Sequence, residues 1–298
     1  CSAPSTPRPG TEWVRTMIDV VALGELLIDF AAKSTDSAGY PTMAANPGGA
    51  PGNFLAALNA YGRKTAFLGK VGNDAFGNLL LGTLNAAGIE TKGILVDDSV
   101  FTTLAFVTFD ESGDRSFSFA RKPGADTQLR WEEVDKSLID EAKVFHFGTL
   151  SSTGEPVRSA TRAALAYAKA HGCLISFDPN LRPPLWDSLD RAREEIDFGL
   201  SQCDVLKISD NEIEFMTGET DIDVGVGKLL QRHPIPLVLA TMGPGGSKAF
   251  FRGQTVFAPP KLTEKTIETT GAGDTFGGCA LHFVLKYGLD GLNEDRLH

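Results

Sequence analysis

Val144-Phe-His-Phe147 and Leu174-Ile-Ser-Phe177 are two short apolar runs, and Pro156 to His171 between them carries a helical pattern. A strand, a helix and a second strand in that order imply parallel pairing, with the helix crossing over one face of a sheet. The rhythm extends in both directions. Downstream, Val205–Ile208 and Leu237–Thr241 read as strands separated by helical segments, and Lys248–Phe251 reads as another strand. Upstream, Ile18–Leu23 and Ala66–Val71 read as buried strands. Phe54, Ala57, Leu58 and Tyr61 mark one helix face, and Ala75–Ala87 reads as a second helix closed by Gly88. The expected fold class is α/β, with a mostly parallel central sheet and helices on both faces.

One region breaks the rhythm. Phe101-Thr-Thr-Leu-Ala-Phe-Val-Thr-Phe109 is β-rich, Glu111-Ser-Gly-Asp114 supplies a turn, and Arg115-Ser-Phe-Ser-Phe-Ala-Arg121 alternates polar and apolar residues. This predicts a hairpin with Phe117 and Phe119 on one side. It reads either as an ordinary half-buried edge hairpin or as a lid over a ligand. Asn46-Pro-Gly-Gly-Ala-Pro-Gly-Asn53 is dense in breakers and reads as a loop opening the helix that follows. Asp29 is expected just past the first strand.

Composition bounds the function. The chain has 298 residues, 42% hydrophobic and 22% charged, enough for one large α/β domain. A net charge of -10 argues against a nucleic-acid binder, which needs a basic face, but leaves room for an anionic ligand held by local cations. No apolar run reaches the ~18 residues of a membrane span. Cys1, Cys173, Cys203 and Cys279 are scattered and form no C-x-x-C pair, which suits a reducing cytoplasm, and the five histidines show no metal-ligand spacing. Residues 1–16 are rich in Ser, Thr, Pro and Gly and read as a disordered leader or a remnant of cloning, with Met17 as the natural start.

In parallel sheets ligands bind beyond the carboxyl ends of the strands. Asp178-Pro-Asn-Leu-Arg182, Lys207-Ile-Ser209 and Thr241-Met-Gly-Pro-Gly-Gly246 all fall at such ends. Near the C-terminus, Glu268-Thr-Thr-Gly-Ala-Gly-Asp-Thr-Phe276 sets three small residues before a helical pattern. Their N–H groups and the helix dipole would form a site for a phosphate or oxyanion, with Asp274 in the same positive field. A helix N-terminus with an Asp in its first turn is the plainer reading. No G-x-x-x-x-G-K-[ST] run occurs, so a nucleotide would not bind through a P-loop. Ser209-x-x-Glu212 is a capping box, which accounts for both residues structurally. The functional alternative is that Glu212 orients a hydrated Mg²⁺.

Taken together, the chain from Met17 onward resembles the ribokinase-like (PfkB-type) sugar kinases, most closely bacterial fructokinases. Gly48-Gly-Ala-Pro-Gly-Asn53, continuing to Gly69 and Gly77, is similar to the family's first signature, and Thr269-Thr-Gly-Ala-Gly-Asp274-Thr-Phe is similar to its second. The resemblance implies a ribokinase-like three-layer sandwich with a small β lid from the segments near 29–45 and 93–121. It implies ATP-dependent phosphorylation of a sugar's primary hydroxyl, most simply fructose to fructose 6-phosphate. Asp274 would be the general base, and Gly271, Ala272 and Gly273 would stabilise charge on the γ-phosphoryl group. Asp29, Gly48, Gly49 and Asn53, with Phe101, Phe119 and Arg121 of the lid, would bind the sugar. Arg182, in a segment similar to the fructokinase D-P-N-x-R-x-x-L-W, would contact phosphate or substrate. Lys207, Ser209, Thr241, Gly243 and Gly246 would serve the nucleotide, and Glu212 a Mg²⁺ through water.

The chain departs from the family pattern in three ways. Glu268 stands where relatives usually carry Asp, in a segment that often helps to bind a monovalent cation, so the implication of K⁺ is weak. Ser209 stands where the Mg²⁺-linked motif usually begins with Asn. Relatives also continue past the equivalent of His298 with a further helix and strand. A 2-keto-3-deoxygluconate kinase is the nearest rival reading, because it shares the Arg182 segment and the lid arginine. A non-catalytic sugar-binding relative is a rival of another class. The hairpin's exposed edge permits a homodimer through the lid.

Overall fold

The strand that is buried at every position, Thr65–Gly72, shows how the molecule is layered, because such a strand needs cover on both faces. A computed structural model describes residues 18–109, 115–261 and 270–297. In chain order the elements begin with β1 (Ile18–Leu23), β2 (Leu27–Thr35), β3 (Pro41–Gly48), α1 (Ala50–Ala60), β4 (Thr65–Gly72) and α2 (Ala75–Ala86). They continue with β5 (Ile94–Asp97), β6 (Thr103–Phe109), β7 (Arg115–Ala120), α3 (Lys136–Asp140), β8 (Ala142–Gly148), α4 (Val157–Ala170), β9 (Leu174–Asp178) and α5 (Leu189–Gln202). The last are β10 (Val205–Ser209), α6 (Asp210–Thr217), α7 (Ile222–Arg232), β11 (Leu237–Thr241), β12 (Ser247–Phe251), β13 (Gln254–Ala258), α8 (Ala272–Tyr287) and the short α9 (Glu294–Leu297).

The large sheet has nine strands in the order β13-β12-β11-β10-β9-β8-β1-β4-β5. It is parallel from β11 to β5, and β12 and β13 add an antiparallel edge. Alternate residues of one strand feed two separate cores, as the two-residue period of a pleated strand requires. Val21 and Leu23 pack with Leu138, Ala164, Ile196, Ile213 and Leu229 from α3 to α7. Val20 and Ala22 pack with Phe54, Leu58, Leu80, Leu84, Leu281 and Val284 from α1, α2 and α8. This is the expected three-layer α/β architecture.

The second sheet has four strands in the order β3-β2-β6-β7. It holds the predicted hairpin, whose register pairs Ala105 with Phe119. The surrounding structure corrects several sequence expectations. Asp29 is not in a connection past β1 but inside β2, opposite Asn46. Asn46 to Gly48, expected as loop, close strand β3, and only Gly49 is left as the turn into α1. Ile94–Asp97, expected with the lid, pairs with β4 and forms an edge of the large sheet. β2 and β3 escaped the sequence pattern because Ala31, Ala32, Lys33, Ala44, Ala45 and Pro47 are poor strand formers, so only pairing within the sheet makes them extended.

Candidate active site

All three predicted strand-end segments sit at the same edge of the large sheet, since β9, β10 and β11 are neighbours and parallel. The lid sheet stands over that edge, and a cavity of about 600 Å³ lies between them. Asp29, Gly48, Gly49, Asn53, Phe119, Arg182, Lys207, Ser209, Glu212, Gly271, Gly273 and Asp274 all line it, although they come from both ends of the chain.

The phosphate-like end is built on α8. Gly271 takes a left-handed conformation, φ 75°, and no side chain caps the helix, so its first N–H groups open toward the cavity. A methyl group on Gly273 would lie 2.9 Å from the Lys207 Nζ. The Lys207 ammonium therefore reaches the same point as the helix N-terminus, and the cradle fits an anionic phosphoryl group. Lys207 bonds Asp178 Oδ2 at 3.1 Å. Burial works against its charge, but Asp178, Glu212 and Asp274 outweigh it and lift the Lys207 pKa above its ordinary value, so it stays protonated.

Asp274 lies in the first turn of α8. Its Oδ2 accepts from Asn53 Nδ2 at 2.9 Å and its Oδ1 from Asn180 Nδ2 at 3.3 Å. Burial pushes its pKa above the usual carboxylate value, while the Asn53 bond, Lys207 and Arg182 pull it back. A carboxylate so placed is a stronger base than an exposed one, yet still ionises in the field of two cations. Arg182 is exposed, lines the cavity and forms no ion pair among the described residues; its Nη1 donates to the Leu181 carbonyl at 3.1 Å.

The capping box of α6 forms as its spacing predicts, with Glu212 accepting from the Ser209 N–H at 2.8 Å. Its other oxygen accepts from the Leu181 N–H, also at 2.8 Å. Both oxygens thus accept a backbone N–H, which fixes the orientation of the carboxylate. Among the described residues no three His, Cys, Asp or Glu side chains gather as a metal site.

Other expected residues lie elsewhere. Phe101 is 70% exposed and does not line the cavity. Arg121 is buried behind the lid root in an ion pair with Asp126 and does not line this cavity. Thr241, Gly243 and Gly246 border the turn between β11 and β12 rather than this cavity. A methyl group on Gly246, φ 92°, would meet the Ala258 carbonyl at 2.5 Å. Beside that turn a second, more apolar cavity of about 350 Å³ is lined by Ser247, Lys248, Phe276, Ala280, Phe283 and Tyr287. Ala272 is at the first position of α8, and Glu268 and Thr269 lie outside the described residues.

Sequence reasoning missed Glu25, Asn46 and Asn180. Glu25 lines the cavity, is 3% exposed, and accepts the Ala50 N–H at 2.9 Å. Burial pushes its carboxyl up to about 7. Nothing in Gly24-Glu-Leu marks that role. Asn180 gave a usable signal, since Asn tolerates the left-handed φ of 45° that turns it toward Asp274.

Residues 17–291 match the family model described as pfkB family carbohydrate kinase. Fructokinase-2 of Solanum lycopersicum is 42% identical over 267 residues, covering 88% of this chain and 80% of that protein. Fructokinase-1 of Zea mays is 40% identical over 272 residues, covering 90% and 83%. Among solved structures, the ATP-bound fructokinase of Xylella fastidiosa superposes with a TM-score of 0.82 at 30% identity, covering 90% of this chain and 81% of that one. A fructokinase double mutant from Vibrio cholerae O395, in fructose, ADP and potassium ion bound form, gives 0.79 at 30% identity, covering 91% and 85%. The protein belongs to the pfkB family of carbohydrate kinases, with the ribokinase-like fold its two sheets describe.

Proposed function

We propose that this sugar kinase transfers the γ-phosphoryl group of ATP to a primary hydroxyl of fructose, giving fructose 6-phosphate. The observation that carries the reading is the convergence of Asp274, Lys207 and the open N-terminus of α8 on one wall of a cavity. The opposite wall carries Asp29 and Asn46 of the lid. Polar acceptors and donors on the lid side suit sugar hydroxyls, and the helix N-terminus suits the phosphoryl group. Fructokinase relatives support fructose as the acceptor.

Asp274 would take the proton of the attacking hydroxyl, with Asn53 and Asn180 fixing its carboxylate by one hydrogen bond each. The N–H groups of residues 271–273, Lys207 and Arg182 would stabilise charge on the transferred group, the main protein contribution to phosphoryl transfer. A Mg²⁺ carried in with ATP would neutralise phosphate charge, and Glu212 would hold it through water. Closure of the lid sheet would exclude water from the reaction. The second cavity beside the β11–β12 turn suits a flat, apolar base. In a coupled ADP-release assay with ATP, Mg²⁺ and K⁺, fructose should be turned over in preference to 2-keto-3-deoxygluconate, ribose and adenosine. Asp274→Ala should lower kcat by about 10²–10⁴. Turnover of the ketoacid ahead of fructose would overturn the substrate, and a fully active Asp274→Ala would overturn the base.

A further inference from the structure

Asp178 closes β9, is 6% exposed and does not line the cavity. Its carboxylate nonetheless holds two residues that do. β9 and β10 pair with Phe177 opposite Leu206, so Asp178 and Lys207 come side by side near the carboxyl ends of the two strands. The Lys207 ammonium lies 3.1 Å from Asp178 Oδ2 and 3.3 Å from Oδ1. Oδ1 also accepts the Asn180 N–H at 3.2 Å, and the Asn180 amide in turn donates to Asp274 at 3.3 Å. The backbone beside Asn180 has further anchors. The Thr149 N–H and hydroxyl both donate to the Pro179 carbonyl, and the Leu181 N–H donates to Glu212. Lys207 is different, because its charge sits at the tip of a flexible four-carbon stem.

We propose that Asp178 is a positioning residue for phosphoryl transfer: it fixes the Lys207 ammonium beside the N-terminus of α8 and acts through it, without touching substrate. The inference rests on the sugar-kinase reading above and deepens it. A buried ion pair is weak evidence of stability, because apolar side chains of similar volume often fill such a place as well. What this pair secures is direction. The ammonium is held where a methyl group on Gly273 would be 2.9 Å away, and a charge placed before the reaction needs no reorganisation during it. Burial pushes the Asp178 carboxyl up to about 7, and the Lys207 charge opposes that rise. Burial likewise works against the ammonium, and Asp178 leads the charges that outweigh it. Each charge thus depends on the other.

The test is a double-mutant cycle on kcat, with Asp178→Asn made in the wild type and in a Lys207→Met background. Asn has nearly the same shape and keeps an acceptor for the Asn180 N–H, so the change removes the charge that anchors the lysine. In the wild type it should lower kcat about 10- to 100-fold while the fructose KM stays within about twofold. In the Lys207→Met background the same substitution should cost less than about twofold. An equal loss in both backgrounds is the mark of a merely structural role and would overturn the proposal. Wild-type kcat in Asp178→Asn would overturn it too, and would leave the kinase reading intact. Wild-type kcat in Lys207→Met would overturn both the proposal and the phosphoryl role given to Lys207. If no Asp178 variant folds, a crystal structure of the wild type with fructose and a non-hydrolysable ATP analogue decides. Lys207 should then touch Asp178 and a phosphate oxygen together, and a lysine that has left Asp178 overturns the proposal. Turnover of another sugar in place of fructose would sink the fructose reading alone, since the cycle is then measured on that sugar.

Discussion

At the residue scale the site is a set of carboxylates whose surroundings push them toward different work. Asp274 is raised by burial and must be ionised to act as a base. The acid limb of kcat/KM should therefore lie above the ordinary carboxylate value of 3.8, with activity falling as pH drops through it. A limb at or below that value would contradict the assignment. Glu25 serves structure. Its pKa rises from 4.5 to about 7 on folding, so folding favours its protonated form. The stability this contributes is complete below pH 4.5 and is lost as pH rises through 7. Glu25→Gln keeps an acceptor for the Ala50 N–H but cannot ionise. Urea unfolding should find the variant close to wild type at pH 5 and more stable at pH 8, by up to about 3 kcal/mol. An equal difference at both pH values would show that Glu25 is not held in its neutral form.

At the element scale, the contact between α1 and α8 places Asn53 against Asp274. Phe54 stacks on the buried His146 at 3.7 Å between ring centres and also packs against Gly277. Burial holds His146 down to about 3, so the ring stays neutral and can be packed as a flat apolar group. A methyl group on Gly278 would come 2.5 Å from the Phe54 carbonyl and 2.9 Å from Ala57 Cβ. Backbone cannot swing aside as a side chain can, so Gly278→Ala should force the helices apart. The expected cost is about 1–3 kcal/mol in denaturant unfolding, together with a fall in kcat as the 2.9 Å bond from Asn53 to Asp274 lengthens. Wild-type stability and kcat in this variant would show that the close approach is not needed. The glycines at 277 and 278 read in the sequence only as gaps in an apolar helix pattern. Their purpose depends on which helix lies alongside.

At the scale of the whole molecule, the cavity lies between two sheets and its walls come from chain segments more than two hundred residues apart. Fructose should therefore stabilise the folded protein by contacting both. At about a hundredfold excess over Kd the linkage amounts to about 2.7 kcal/mol, a rise in Tm of about 4 °C. Thermal denaturation with and without fructose measures this directly, and no shift would contradict binding in that cavity.

Much of this was legible from residue order alone. Strand–helix alternation from Val144 onward determined the parallel sheet, because period and length distinguish strands from helices locally. The small residues before Asp274 marked the start of a helix with no capping side chain, because that is a local property. The sequence also placed Lys207, Ser209 and Arg182 at strand ends, and parallel pairing then gathers them at one edge. Arg121 shows the limit. The family resemblance implied a substrate contact for it, but a charged side chain takes whichever partner the fold brings nearest, and the tertiary structure brings Asp126. Asp29 and Asn46 likewise became lid residues only when β2 paired with β3. Local sequence determines which groups can bind or react, while burial and long-range pairing decide which of them remain available, since both depend on neighbours distant in the chain.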